Sequence, residues 1–250
     1  MPDVRTFAIL GHARGWLERT PRRLWWRPRR WRVNARLDEA KDAEVEPSET
    51  LAATAPTKDR INQAAIELFY RQGYNATSLR QIADSVGLQV GSLYNHISSK
   101  EELLWRIMSD VMLELIEFTE EQLAAVGDQP VDRLNTFLRS SVHFHAIRRK
   151  ETFIGNSELR GLSEEHLAEV MALRDRYEEI LRSTIEAAQE RGQIDVDDLH
   201  LATFAALAMC TSVARWFRLD GRLSLADVEE QLPRLFGPIA TASIKGSARP

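Results

Sequence analysis

Cysteine is almost missing: the 250-residue chain has one, Cys210. A lone thiol excludes an intrachain disulfide framework and fits a reducing compartment such as the cytoplasm. Long apolar runs are missing too, with no stretch of about 18 uninterrupted apolar residues. A membrane-spanning helix is therefore excluded on length, and no membrane partner is expected. No segment shows the apolar–polar alternation of a half-buried strand, which leaves an all-α chain. The marks of catalysis are also absent: there is no glycine-rich phosphate loop, no nucleophile elbow, no H-E-x-x-H and no evident pair of carboxylates. Cys210 lies in an alanine-rich stretch, where a buried thiol is inert. Neither an enzyme nor a cofactor is expected. His143 and His145 are two apart, which on a helix turns them away from each other, so no metal site is expected either.

What is present is unevenly spread. Residues 1–36 hold ten arginines and no lysine against Asp3 and Glu18, a net +8, so the rest of a chain of net charge −4 carries −12. The run Arg22-Arg-Leu-Trp-Trp-Arg-Pro-Arg-Arg-Trp31 has no helical or strand period. Three readings of this arm stand side by side. It is a basic aromatic grip for nucleic acid or an acidic membrane, which would make an interaction protein. It is a targeting segment, which the lack of an apolar core before a cleavage site disfavours. Or it is an over-long translation start, in which case a shorter product would begin at a non-AUG codon such as Val33 or Val45. Residues 37–55, rich in Glu, Asp, Ala, Ser and Thr, have the composition of a linker.

Helical punctuation begins at Pro56. Thr57 is the expected N-cap of a first helix with Ile61, Ala64, Ala65, Leu68 and Phe69 on one face, and Gly73 stops it. Ser78 and Gln81 form an S-x-x-Q capping box for a short second helix that turns inward Leu79, Ile82 and Val86 and ends at Gly87. A third helix follows in Gln89-Val-Gly-Ser-Leu-Tyr-Asn-His96. A short helix, a glycine turn and a polar helix form a helix-turn-helix, the shape that enters a DNA major groove. Gln89, Val90, Ser92 and Asn95 are expected to face bases: Gln and Asn suit adenine edges, Ser any base, Val a thymine methyl. Gly91 is expected to permit close approach to a neighbouring helix or to the DNA backbone. Tyr94, His96 and Lys100, with Thr77 or Ser78, are expected to bond phosphates. Residues 56–105 sum to zero charge, so phosphate contact has to come from a few placed groups and helix N-termini.

Downstream, amphipathic helices are expected from Ser98 or Ser99 to about 125, from Pro130 to about 148, over 151–159, from Ser163 to Gly192, over 197–218 and over 225–242. Pro233 is expected to kink or break the last. Residues 197–218 are apolar almost all round, which requires burial on several sides. The domains expected are an extension (1–55), a helix-turn-helix domain (56–103) and a helical ligand-binding and dimerisation domain (104–244).

The stretch Ile66-Glu-Leu-Phe-Tyr-Arg-Gln-Gly-Tyr-Asn-Ala-Thr-Ser-Leu-Arg-Gln-Ile-Ala-Asp-Ser-Val-Gly-Leu88, with Gly91-Ser-Leu-Tyr-Asn-His96 and Ser99-Lys-Glu-Glu-Leu-Leu104, resembles the TetR/AcrR family of dimeric one-component transcriptional regulators. It departs from that pattern at Gln89, where the family usually has Ser or Thr, and at Ile97, where it usually has an aromatic. The resemblance implies a double-stranded palindromic operator, a homodimer, a small-molecule effector, and repressor action, with activation as the alternative. It also implies that the two C-terminal helices pair with their mates. The chain supports this with the apolar residues Ala202, Ala205, Ala206, Met209, Val213, Trp216 and Phe217, and then Leu225, Val228, Leu232, Leu235, Phe236 and Ile239. The effector pocket is expected among Trp105, Met108, Met112, Phe137, Ser141, Phe144, His145, Phe153, Asn156, Tyr177 and Met209. Trp216-Phe-Arg-Leu-Asp-Gly-Arg-Leu-Ser224 is similar to a stretch of relatives that respond to acyl-coenzyme A thioesters, and Arg148-Arg-Lys150 offers cations for such a head group.

Overall fold

The computed structural model describes residues 56–241, with side chains to Gly237, so the readings of residues 1–55 lie outside the described residues. Every regular element there is helical: α1 (Thr57–Gln72), α2 (Leu79–Ser85), α3 (Val90–Leu93), α4 (Lys100–Ala125), α5 (Pro130–Ile147), α6 (Arg149–Ser157), a 3-10 turn (Leu159–Gly161), α7 (Glu164–Glu190), α8 (Leu199–Trp216) and α9 (Leu225–Thr241).

The expected caps act at most starts. Ser78 and Gln81 bond each other's backbone, and Ser99 and Ser163 each accept the backbone N–H three residues on. Ser224 and Asp227 repeat the reciprocal box of α2 at the start of α9. Thr57 differs. The carbonyl of Pro56 already accepts the N–H groups of Asp59 and Arg60, so Thr57 lies inside α1 and caps nothing. Pro233 also differs, for α9 runs through it. Proline removes one helical bond, but Val228 and Phe236 are buried on either side of it, and α9 packs along α5 and α8. That anchorage outweighs the lost bond.

Two apolar cores divide the described chain. The first joins Ile61, Phe69, Ile82 and Leu93 of α1–α3 to Leu103, Leu104, Ile107 and Met108 of α4, and it also takes in Ile154 of α6 and Val170 of α7. The second runs from Val111 along the rest of α4 through α5, α7, α8 and α9. Helix α5 is its axis, in contact with α4, α6, α7, α8 and α9. The first core thus crosses the boundary expected at residue 103, because the opening turns of α4 are the fourth wall of the reader.

Polar ties bind the two halves. The Arg149 guanidinium donates to Tyr70 Oη of α1 (2.9 Å) and to the Ala214 carbonyl of α8 (3.1 Å), while Lys150 pairs with Glu67. At the far end of α6, Gly161 presses on the first core: a Cβ built there would lie 2.8 Å from Leu104 Cδ2 and from two ring atoms of Tyr74. Beside it Glu101 accepts from the Ser163 N–H (2.9 Å) and pairs with His166 Nδ1 (2.7 Å), and His166 stacks on Trp105 with centroids 4.4 Å apart.

Candidate nucleic-acid interface and effector core

The reader owes its shape to small bonds around α2 and α3. Gly87 turns the chain between them, and the Leu88 N–H returns to the Ala83 carbonyl at 2.9 Å. Arg60 of α1 donates to the Val86 carbonyl at 2.6 Å and holds that turn against the first helix. Gln89 opens α3 through its carbonyl alone, leaving its side chain uncommitted to capping. Leu93 locks α3 to the core and Val90 is half-buried against it. The opposite side exposes Gln89, Gly91, Ser92, Asn95 and His96, with Tyr94 at 55% exposure. Most of the residues expected to face bases and phosphates are thus open to solvent; Val90, expected to meet a thymine methyl, is half-buried instead. A Cβ on Gly91 would meet nothing within 4 Å, so no neighbouring helix requires a glycine there, and the expected close approach could only be to an outside partner.

Three expected phosphate ligands are otherwise engaged. Thr77, 2% exposed, turns inward: its hydroxyl donates to the Gly73 carbonyl (2.8 Å) and accepts from Gln72 Nε2 (3.2 Å), which removes it from any DNA face. Ser78 is exposed, but its hydroxyl is the α2 cap. Lys100 donates to the Tyr74 and Thr77 carbonyls (2.9 and 2.8 Å) with its ammonium 4.2 Å from the Tyr74 ring centroid. It is a brace for the loop before α2. Sequence spacing puts these groups near the DNA face without showing that loop carbonyls stand closer.

The expected pocket residues fall into separate places. Trp105 and Met108 belong to the reader's core, and Phe153 meets Tyr70 edge-on at 5.3 Å beside it. Asn156 is exposed and accepts from Arg174 at 3.5 Å. Neither Phe153 nor Asn156 enters the second core. The reason is that α6 packs on α1, which its short sequence could not reveal. Phe137, Ser141, Phe144, His145 and Tyr177 are buried in the second half, with Met112 and Met209 half-buried at its edge. His145 Nδ1 donates to the Ser141 carbonyl at 2.6 Å, and burial lowers its pKa to about 4, leaving a neutral imidazole. Burial also raises Tyr177 above its ordinary value and pushes the Cys210 thiol up to about 12. A shallow hollow of about 230 Å³, bounded by Asp128, Pro130, Arg133, Ser183, Thr184, Ala187 and Arg191, shares no residue with this set.

His143 and His145 do diverge, as expected. His143 Nδ1 meets Glu229 of α9 at 2.6 Å, both side chains buried. Among the described residues no cluster of three His, Cys, Asp or Glu side chains is disposed to hold a metal, and no helix is long and apolar enough to cross a membrane. The cations expected to receive a head group have internal partners: Arg148 with Glu114 and Glu151, Arg149 with Tyr70 and Ala214, Lys150 with Glu67. The Trp216–Ser224 stretch has a local explanation. It makes the α8–α9 turn, where a Cβ on Gly221 would come within 2.9 Å of the Arg218 carbonyl, and it ends in the Ser224 cap.

Of the residues expected to pair with a second copy, Ala202, Ala206, Val213, Phe217, Val228 and Phe236 are buried within the single chain. Ala205, Met209 and Leu232 are half-buried, and Trp216 and Leu235 are exposed. The outward stripe of α8 instead carries Leu201 and Phe204, at 64% and 62% exposure, with Ala208 between them and Trp216. A helix apolar on all sides does not reveal which side its own core takes; Ile239 lies outside the described side chains.

With this geometry in view, residues 61–107 match the pattern of bacterial regulatory proteins of the tetR family, and residues 127–237 match a tetracyclin repressor-like C-terminal domain. The chain is similar to the HTH-type transcriptional repressor KstR2 of Mycolicibacterium smegmatis, 27% identical over 188 residues that cover 73% of this chain and 90% of the relative. It is similar in structure to the TetR family transcriptional regulator PfmR from Thermus thermophilus, with a TM-score of 0.66 and 32% identity over 72% of this chain and 97% of that one. A third likeness, at TM-score 0.64 and 28% identity over 73% and 96% of the two chains, is to AibR in complex with isovaleryl coenzyme A and operator DNA.

Proposed function

The chain belongs to the TetR family of bacterial regulatory proteins and is a helix-turn-helix transcriptional regulator, and on that premise we propose that it is a dimeric repressor released from a palindromic operator by a small molecule. The observation that carries this is the outward face of α3, on which Gln89, Gly91, Ser92, Tyr94, Asn95 and His96 are exposed while Leu93 anchors the helix behind them. A reader this small specifies few base pairs, and a twofold pair reading half-sites about 34–36 Å apart doubles the contact. The bare stripe of Leu201, Phe204 and Trp216 on α8, with Leu235 on α9, supplies the surface for a second copy. The repressor named KstR2 supports the direction of control, and the operator-bound AibR supports an operator as the target.

The effector in this reading is apolar or amphipathic and enters the second core. Isovaleryl coenzyme A in AibR favours an acyl-coenzyme A thioester; the internal pairing of Arg148, Arg149 and Lys150 means its phosphates would be met by other groups. A ligand needs a coupling of only about 1–3 kcal/mol to weaken the operator complex 5- to 150-fold. The test is a gel shift with the DNA flanking the protein's own gene, repeated with acyl-coenzyme A thioesters. A retarded, salt-sensitive dimeric complex lost on adding a thioester is the expected result. No complex at low salt would refute operator binding, and a complex indifferent to every small apolar ligand would refute effector release.

A further inference from the structure

The second core contains hydroxyls for which the protein has no use of its own. Tyr177 Oη of α7 and Thr119 Oγ1 of α4 are buried without a hydrogen bond of good geometry. The Ser141 hydroxyl of α5 reaches nothing better than His145 Nδ1 at 3.4 Å, and that nitrogen already donates to the Ser141 carbonyl at 2.6 Å. Cys210 of α8 is completely buried, with its sulfur 3.9 Å from the Leu138 carbonyl. The Ser141 and Thr119 hydroxyls lie close enough to Tyr177 to act on its phenol as hydrogen-bonding neighbours, and the Cys210 thiol acts on it through space, so side chains from four helices meet at one point. The Phe137 ring, 4.9 Å from the Tyr177 ring, walls one side.

Buried polar atoms nearly always find a well-aligned partner, so a phenol among hydroxyls that form no well-aligned hydrogen bond with it calls for an explanation. Its surroundings restrict what can answer. Hydroxyls, a thiol and a neutral imidazole all lack charge, and a carboxylate or phosphate brought among them would be stripped of water with no cation to meet it. An oxygen on an otherwise hydrocarbon body suffers no such loss.

We propose that Tyr177, flanked by Ser141 and Thr119, anchors the effector, and that what it holds is an uncharged carbonyl oxygen on a hydrocarbon skeleton. Tyr177 Oη–H donates to that oxygen, and the chain of the ligand lies among Phe137 and its neighbours. The proposal rests on the ligand-responsive reading above and narrows it: the carbonyl can belong to a free ketone or to the acyl part of a thioester, whereas a free fatty acid, which differs from them in one ionised group, is rejected. The rival occupant is a structural water bridging the same hydroxyls.

Calorimetric titration of the full chain separates these cases. For chains of five to ten carbons, three probes of equal length are compared: the methyl ketone, the acyl-coenzyme A thioester and the free carboxylate. Ketone, thioester or both should bind, identifying the source of the carbonyl, and the carboxylate should not. Tyr177→Phe should weaken that binding roughly 5- to 100-fold, the loss expected when a buried acceptor goes unpaired. In thermal melts without ligand the same variant should be no less stable than the parent, because the hydroxyl it removes makes no well-aligned hydrogen bond. A carboxylate that binds as tightly as the ketone, binding by none of the three, or unchanged affinity in Tyr177→Phe would overturn the proposal. So would a lowered melting temperature with affinity intact, the signature of the water. Calorimetry reads the ligand without DNA, so a protein that binds the ketone but retards no operator indicts the repressor reading and leaves this one standing.

Discussion

Gly161 and Gly91 form a pair of glycines with opposite environments, and exchanging each for alanine tests how the reader is held. At Gly161 the added methyl would sit 2.8 Å from Leu104 Cδ2 and from Cδ1 and Cε1 of Tyr74. None of these can retreat easily. Leu104 is completely buried, and the Tyr74 ring is pinned edge-on against Phe69 at 5.2 Å and covered by Lys100. Overpacking of this kind costs about 1–3 kcal/mol, and a chain of this size loses about 2–4 °C in Tm per kcal/mol. Gly161→Ala should therefore lower Tm by roughly 2–12 °C. The same push reaches the loop that Lys100 braces ahead of α2, so operator affinity should fall too, by more than the Tm change alone explains at a temperature where the variant is fully folded. Gly91→Ala should do the reverse. Its methyl meets nothing, and alanine in a helix is favoured over glycine by about 0.5–1 kcal/mol, so Tm should hold or rise while operator affinity drops through a clash with DNA. Differential scanning calorimetry and fluorescence polarisation on a labelled operator read both. A Gly161→Ala protein with unchanged Tm and unchanged affinity would refute the wedge; a Gly91→Ala protein that binds DNA as well as the parent would refute close approach by α3.

Further outcomes follow from single residues. Tyr94→Phe should weaken operator binding on all sequences by about tenfold if its hydroxyl bonds a phosphate, whereas Gln89→Ala should change the preferred sequence; equal binding and an identical selected site, respectively, would remove those roles. Phe204→Glu together with Leu201→Glu should yield monomers in sedimentation at unchanged helix content, since both side chains are exposed on the single chain; a persistent dimer would place the interface elsewhere. His145 titrates near 6.5 when unfolded but is held to about 4 when folded. The unfolded state therefore takes up the extra proton, and the stability it contributes is present above pH 6.5 and is lost as pH falls toward 4, about 3 kcal/mol in all. Asp110 and Glu114, raised by burial, act in the opposite sense, so the quantity to measure is the difference in denaturant unfolding between the parent and His145→Gln. A pH slope unaltered by that exchange would show that the imidazole is not shielded.

Much of the reader can be written down from the residues alone, because its signals are local. Ser78, Gln81 and Gly87 act within one turn of where they stand in the chain, and the structure uses them so. What cannot be read depends on distant neighbours. Thr77 and Lys100 look like ligands for a phosphate in the sequence, but the Gly73, Tyr74 and Thr77 carbonyls meet them first. Pattern alone does not say which side of α8 its own core takes, because Ala206 and Phe204 look equally apolar in a sequence, though one is buried in the second core and the other is exposed. The Arg148–Lys150 run carries no hint that Glu114, Tyr70 and Glu67, all distant in sequence, take its charges. Nor does anything mark Gly161, whose importance arises only when the 3-10 turn meets Tyr74.

The Arg149 guanidinium spans from the Tyr70 hydroxyl to the Ala214 carbonyl. Ala214 lies in the last turn of the helix whose outer stripe is proposed above for a second copy, so under that proposal a shift in how the copies are seated need cross only one planar fork to arrive at the reader's first rod. Occupancy in either copy could then be felt by both, and a mixed pair, one copy carrying Tyr177→Phe, should release its operator in a single step; two separate steps would mean that each copy hears only itself.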